Sequence, residues 1–338
     1  MQAGAGVPVP EKLEVRVLDA EIFGGCNYKC HFCPQSKGRE EEFIRKLPIE
    51  ILEKTMDECL DYGLECVTLH GSGEPTLHPQ FPAYVVAVKS RGLKCISFTN
   101  GFRLTEKLSH ALVEAGIDIL RISCIGYDSS TYESAMVGGN FDKVRENVLR
   151  FAEIAQGTSS EVHFNHLVID NARVEFEVEQ YQKNWSGYIR EHVPSAKVHA
   201  EVWKMHNWAD SDKIEIGYRR EERKKRTCGR PFAPLIQMRA GGLERHNGAV
   251  VACCMVLGQD SKGVLGHTDT QTISEIVAGD SYEKLRDAHR REAFDEIDVC
   301  ANCDQLYDTP EALVWCDIPG REYQQSKNSK TLRFSDYA

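Results

Sequence analysis

Between Leu13 and Trp203 the chain alternates short runs rich in β-branched residues with longer stretches of helical periodicity, and that alternation leaves few folds open. Strands separated by a helix do not pair as hairpins. The helix carries the chain back over the sheet, so successive strands run parallel beneath a helical cover. Strands are predicted at Leu13 to Phe23, Glu65 to His70, Leu93 to Thr99, Ile117 to Cys124, Glu161 to Ile169 and Lys197 to Trp203. Helical patterns fall between them, among them Pro48 to Tyr62, Thr105 to Ala115, Phe141 to Ala155 and Val174 to Ile189. These six units are fewer than the eight of a closed barrel, so the α/β reading is a partial (β/α)6 TIM-like barrel, with an open doubly wound sheet as the alternative. Both architectures put chemistry at the C-terminal ends of the strands.

Beyond Trp208 the alternation stops. A charged run from Arg219 to Arg226 leads to a predicted hairpin with arms Leu235 to Arg239 and Ala249 to Cys254, turned through Gly241, Gly242, Asn247 and Gly248. Thr272 and Glu275 have capping-box spacing at the head of a helix ending near Gly279, and a second helix is predicted from Tyr282 to Arg291. The expected organisation is a barrel over 13–210, a charged linker over 211–227, a small α+β domain over 228–316 and a polar tail over 317–338.

The formal charge of -10 argues against nucleic acid as a partner, because backbone binding rests on Lys and Arg replacing counterions. The basic run is itself broken by Glu221 and Glu222 and reads as a solvated face. No apolar run approaches the roughly 20 residues that span a bilayer, and no early stretch has secretory-signal character. A cytoplasmic protein without a membrane partner is expected.

Thirteen cysteines are many for a reducing compartment, where disulfides are rarely maintained, and their grouping suggests metal. Cys59, Cys66, Cys95 and Cys124 lie in apolar periodic segments and read as small buried residues. Cys26, Cys30 and Cys33 follow the first predicted strand directly. Three thiolates hold three irons of a 4Fe-4S cubane and leave the fourth open to a small ligand. Zinc is the alternative, but it wants a fourth donor, and His31 lies too close in sequence to supply one comfortably.

The Cys-x3-Cys-x-aromatic-Cys pattern after a first strand resembles the radical S-adenosylmethionine (SAM) superfamily. The resemblance implies a 4Fe-4S cluster on Cys26, Cys30 and Cys33, SAM chelated at the open iron, and reductive cleavage of SAM to a 5'-deoxyadenosyl radical. It also places Phe32 beside the adenine. Gly71, Ser72, Gly73, Glu74 and Pro75, after the second strand, resemble the family's Gly-Gly-Glu segment, whose backbone and acid meet the methionyl amine. Asn100, Ser123 and Asn165 resemble later strand-end positions that line the SAM pocket. One departure stands out: an Arg that several members carry ahead of a Gly-Phe-Asp stretch is absent, and the chain reads Met136, Val137, Gly138, Gly139, Asn140, Phe141, Asp142.

Cys228, Cys253 (after Gly248), Cys300 and Cys303 resemble the C-terminal auxiliary-cluster domains called SPASM and, in shortened form, Twitch. The further cysteine run of a full SPASM domain is missing, so four ligands for one auxiliary 4Fe-4S cluster, in a Twitch-like domain, is the better match. Cys254 is an alternative to Cys253, and four thiolates hold zinc equally well.

What this implies is radical abstraction of hydrogen from a C-H bond, followed by oxidation of a carbinol on a small sugar or aminocyclitol, with the auxiliary cluster taking the electron. An external donor such as flavodoxin or ferredoxin would reduce the first cluster. The alternatives are a radical epimerase with Cys254 or Cys316 as hydrogen donor, a peptide-modifying maturase, and a non-catalytic zinc-binding module. His206 and Trp208 are candidate substrate contacts, and His70 and His166 candidate proton acceptors.

Overall fold

The computed structural model describes residues 13–36, 44–206, 228–256, 262–306 and 313–319. Trp208, the linker over 211–227 and the tail beyond residue 319 lie outside them.

The six predicted strands form as β1 (Val17–Ala20), β2 (Cys66–Leu69), β3 (Lys94–Thr99), β4 (Ile119–Ser123), β5 (Glu161–Val168) and β6 (Val198–Lys204). Each pairs in parallel with the next in chain order. The first hairpin arm, β7 (Leu235–Arg239), lies parallel to β1 on its free side, followed by antiparallel β8 (Ala249–Val251) and β9 (Val264–His267). At the other edge, β10 (Leu313–Cys316) runs antiparallel to β6. The partial TIM-like barrel is thus realised, with seven parallel strands at its heart.

Helices α1 (Ile49–Leu60), α2 (Phe81–Lys89), α3 (Glu106–Glu114), α4 (Ser129–Ala135), α5 (Phe141–Ile154), α6 (Val174–Tyr181) and α7 (Tyr188–His192) connect these strands. The stripe on α5 buries Phe141, Val144, Val148, Phe151 and Ala152, spaced by threes and fours, while Asn140 caps its first turn by accepting from the Lys143 amide at 2.9 Å. The predicted capping box heads α8 (Ile273–Ala278), where the Glu275 carboxylate accepts from the Thr272 amide at 2.8 Å. The second predicted helix of this region is α9 (Asp280–Arg290).

Several boundaries differ from expectation. The second hairpin arm stops at Val251, and the helix predicted from Val174 to Ile189 is interrupted by a π-helical stretch, Gln182–Gly187. Helix α2 escapes pattern reading because its sequence FPAYVVAVK is apolar nearly all round. Among the described residues no helix is long and apolar enough to cross a membrane.

The inner face of the barrel follows from the two-residue period of strands. Val17, Cys66, Ile96, Ile119 and Leu235 make an apolar floor separate from the main core. Two residues further along each strand come Asp19, Thr68, Phe98, Arg121 and Gln237, so the lumen turns polar towards the C-terminal ends. Cys59, Cys66, Cys95 and Cys124 are fully buried, as their apolar surroundings indicate.

His166 is a packing residue rather than a proton acceptor. It is fully buried, stacked on Tyr181 with ring centroids 4.2 Å apart, and 2.9 Å from the Cys124 carbonyl. Burial pushes its pKa down to about 3. The unfolded chain therefore takes up a proton near pH 6.5 that the folded chain refuses until much lower pH, so acidification below about 6.5 costs stability, by at most about 1.4 kcal/mol per pH unit for this group. The expected result is that His166→Phe, which keeps the stacked ring, makes the urea midpoint fall less steeply between pH 7 and 5 than in the wild type.

Candidate functional site

The loop after β1 is pinned on three sides. The Gly24 amide donates to the Arg45 carbonyl at 2.9 Å, the Glu74 amide to the Gly25 carbonyl at 2.8 Å, and the Lys29 amide to the Val137 carbonyl at 2.8 Å. Gly73 permits this approach, since a Cβ there would collide with the Phe23 carbonyl oxygen. Within the loop, the Cys33 amide closes a turn onto the Cys30 carbonyl at 3.1 Å. The three thiols are thereby brought together, with Cys26 exposed, Cys33 half-buried and Cys30 buried. Desolvation first, then the Glu74 carboxylate, pushes Cys26 up to about 12, and burial followed by the charges of Cys33 and Cys26 pushes Cys30 up as well. Sulfurs so placed remain thiols until a metal supplies the missing positive charge, and this donor set fits three irons of a cubane. Phe32 packs half-buried against the core, and a cavity of about 150 Å³ opens beside Cys26, Tyr28 and Leu77.

Glu74 is buried at the ends of β2 and β3. Its carboxylate accepts from the Thr76 amide (3.0 Å) and hydroxyl (2.6 Å), the Thr99 hydroxyl (2.7 Å) and the Asn100 amide (2.7 Å). Burial pushes its pKa up against those bonds. The Glu74 carboxylate thus fastens the ends of β2 and β3 together. The Ser72 amide and hydroxyl are held by Glu21, and a Cβ on Gly71 would strike the same carboxylate. Asn100 reaches Asn27 at 3.0 Å and lies 3.9 Å from the Cys26 sulfur.

Deeper in the lumen, Ser123 and Asn165 are register partners, and Asn165 in turn pairs with Glu201. The Asn165 amide donates to Glu201, and Arg121 meets the same carboxylate at 3.3 Å. Asp19 is fully buried, bonded by Gln237 at 3.1 Å and 3.7 Å from His70, whose ring packs on Phe98. Burial alone would raise the Asp19 pKa, but His70, Gln237 and Arg239 outweigh it and hold the carboxyl below its usual range. Sequence reasoning missed Asp19, Glu21, Arg121 and Glu201. The available signal was a charge flanked by apolar residues inside a strand of a parallel sheet, where both faces are covered.

The second cysteine group also converges. Cys228 and Cys300 pack against Phe294, Cys303 and Leu306. Burial and then the charges of Cys253, Cys303 and Cys228 raise Cys300. Cys253 is pushed up to about 11 by burial and by Cys254, with Cys228 a smaller contributor. Arg239, fully buried, donates to the carbonyls of Cys254 and Val256 at 3.1 Å and shapes the loop between them. His289 lies 3.4 Å from the Cys300 sulfur. Four converging thiols fit a fully protein-ligated cluster. His206 belongs to this side, since burial pushes it down to about 4 and its charged neighbours are Asp304 and Arg230. Cys316 stands on β10 opposite Glu201.

Residues 20–172 match the family model of the radical SAM superfamily, and residues 245–304 that of the iron-sulfur cluster-binding SPASM domain. A probable GTP 3',8-cyclase of Methanococcus maripaludis is 29% identical over 141 residues, 42% of this chain and 47% of that protein. The chain therefore spans about half the length of this curated relative. Among solved structures, BtrN in complex with AdoMet and 2-DOIA superposes with a TM-score of 0.53 at 19% identity, covering 86% of this chain and 93% of that one. Streptococcus suis SuiB bound to precursor peptide SuiA gives 0.57 at 16% identity, covering 81% of this chain and 67% of that one. Both likenesses concern the fold. The cofactors that accompany the two matched families are a 4Fe-4S cluster with SAM and auxiliary iron-sulfur.

Two outcomes follow for the loaded protein. Gly73→Ala should drop iron from about eight to about four per chain after anaerobic reconstitution, because the loop carrying Cys26, Cys30 and Cys33 loses its seat. His289→Phe should lower the midpoint potential of the auxiliary cluster in an EPR-monitored titration, since a donor to a ligating sulfur favours the reduced, more negative state.

Proposed function

Because the chain joins a radical SAM domain to a SPASM iron-sulfur domain, we propose that it oxidises a carbinol carbon of a small sugar or aminocyclitol. The observation that carries this reading is the convergence of Cys228, Cys253, Cys300 and Cys303, which leaves no ligand position for substrate on a cluster held there. When bound, the first cluster and SAM supply a 5'-deoxyadenosyl radical able to remove hydrogen from carbon, and the auxiliary cluster supplies an acceptor for the remaining electron.

The rest falls to the chain. Cys26, Cys30 and Cys33 hold the first cluster. Gly71, Ser72, Gly73 and Asn100 give a close-packed wall at the ends of β2 and β3, with Glu74 and Glu21 locking it from behind. Ser123 and Asn165 line the lumen beside the Arg121 and Glu201 pair and offer hydrogen bonds to a polyol ring. Oxidation of a carbinol also releases the hydroxyl proton. His70, half-buried at the lumen mouth and backed by Asp19 at 3.7 Å, is the group placed to take it.

A second reading rests on one specific contact. Cys316 stands directly opposite Glu201 across β10 and β6, so the two share a face of the sheet, and Glu201 faces the lumen. A thiol there favours epimerisation, in which Cys316 would give its S-H hydrogen atom to the opposite side of the carbon, the thiyl left behind regaining an electron from the auxiliary cluster and a proton from solvent.

One assay separates the readings. Reconstituted enzyme, SAM and a chemical reductant are incubated in heavy water with a panel of aminocyclitols and hexoses, and products are weighed. Oxidation gives a product two hydrogens lighter, and His70→Gln should slow it at least tenfold. A product carrying one solvent deuterium with no other change, lost in Cys316→Ala, overturns oxidation in favour of epimerisation.

A further inference from the structure

At the end of the sheet away from the cysteine loop, β5 and β6 begin side by side. Glu161 and His163 are two residues apart on β5 and share a face, and His163 is the register partner of His199 on β6. One Glu161 carboxylate oxygen, Oε2, lies 2.8 Å from His163 Nε2 and 4.0 Å from His199 Nε2. One donor atom from each of the three side chains falls within 4.8 Å of the other two. The imidazole rings stand at 77° with centroids 5.0 Å apart.

The surroundings favour a cation over a simple ion pair. Behind His199, Nδ1 faces Asp317 Oδ1 at 3.8 Å, and Asp317 is fixed in turn by the Ala200 amide at 2.6 Å and by Arg190. Asp317 thus lies on the Nδ1 side of the ring, with Nε2 turned towards Glu161. His163 is 2% exposed, so its ring is held inside the protein. Glu161 and His199 retain 32% and 25% side-chain exposure, an entry path from solvent. Arg121, the guanidinium on the adjoining strand, is paired with Glu201 at 3.3 Å.

We propose that Glu161, His163 and His199 form a zinc site, separate from both cysteine groups, with its fourth position open to water. Two imidazoles and one carboxylate are a zinc donor set, and the metal would replace the proton that Glu161 and His163 share. Such an ion staples β5 to β6. Through Asp317 it also steadies the segment just after β10, the strand that bears Cys316.

The test uses the iron-reconstituted holoenzyme, incubated with zinc sulfate, freed of loose metal by gel filtration and analysed for zinc and iron. The expected result is one zinc per chain in the wild type, and a loss of at least tenfold in His199→Gln and in Glu161→Gln with iron unchanged. Zinc K-edge absorption of the wild type supplies a reading independent of variant folding, with nitrogen and oxygen neighbours near 2.0–2.1 Å rather than sulfur near 2.3 Å, as roughly expected for such ligands. Sulfur neighbours, zinc retained by both variants, or no zinc in the wild type would each overturn the site.

Discussion

One buried carboxylate ties the upper end of the barrel together. Glu74 takes hydrogen bonds from Thr76, Thr99 and Asn100, while its own amide holds the Gly25 carbonyl of the cysteine loop. The ends of β2 and β3 and the loop after β1 are thus fastened at a single residue. Satisfied buried acids of this kind are strong constraints, because losing any one partner leaves a polar atom stranded in a low-dielectric interior. Asn100 inherits its position from this knot and carries it to Asn27 and the neighbourhood of Cys26.

The architecture was legible where pattern is periodic. Alternating apolar runs gave the six parallel strands, the Thr272 and Glu275 spacing gave its capping box, and the thiol spacing gave both convergent cysteine groups. Uniformly apolar α2 carried no face to recognise, and the addition of β7 to the parallel sheet beside β1 is a long-range pairing that no local signal announces. The site was legible at its ligand-bearing loops and opaque in its lumen. Glu74 and Asn165 were found by resemblance, while their partners within the chain, Thr99 and Glu201, become visible only when strands are laid in register.

The lumen shows why an inward charge need not be a defect. Arg121 and Asn165 both bond Glu201, and Gln237 and His70 flank Asp19, so β4, β5 and β6 share one polar group and β1, β7 and the end of β2 another. Above an apolar floor such groups are costly to disturb and therefore rigid.

The pairing of β7 with β1 sets an order of assembly. The first strand, which leads into the cysteine loop, is bonded on one side to β2 and on the other to residues some two hundred positions later, the Glu21 amide reaching the Met238 carbonyl at 2.9 Å. During synthesis the thiols of the loop emerge before the wall that steadies Glu21, and through it Ser72, which arrives only when Leu235 to Arg239 has been made. The cysteine loop is thus translated well before the strand that completes its support. Until then the three thiols stand on an unfinished wall, and the same later region brings the second cysteine group.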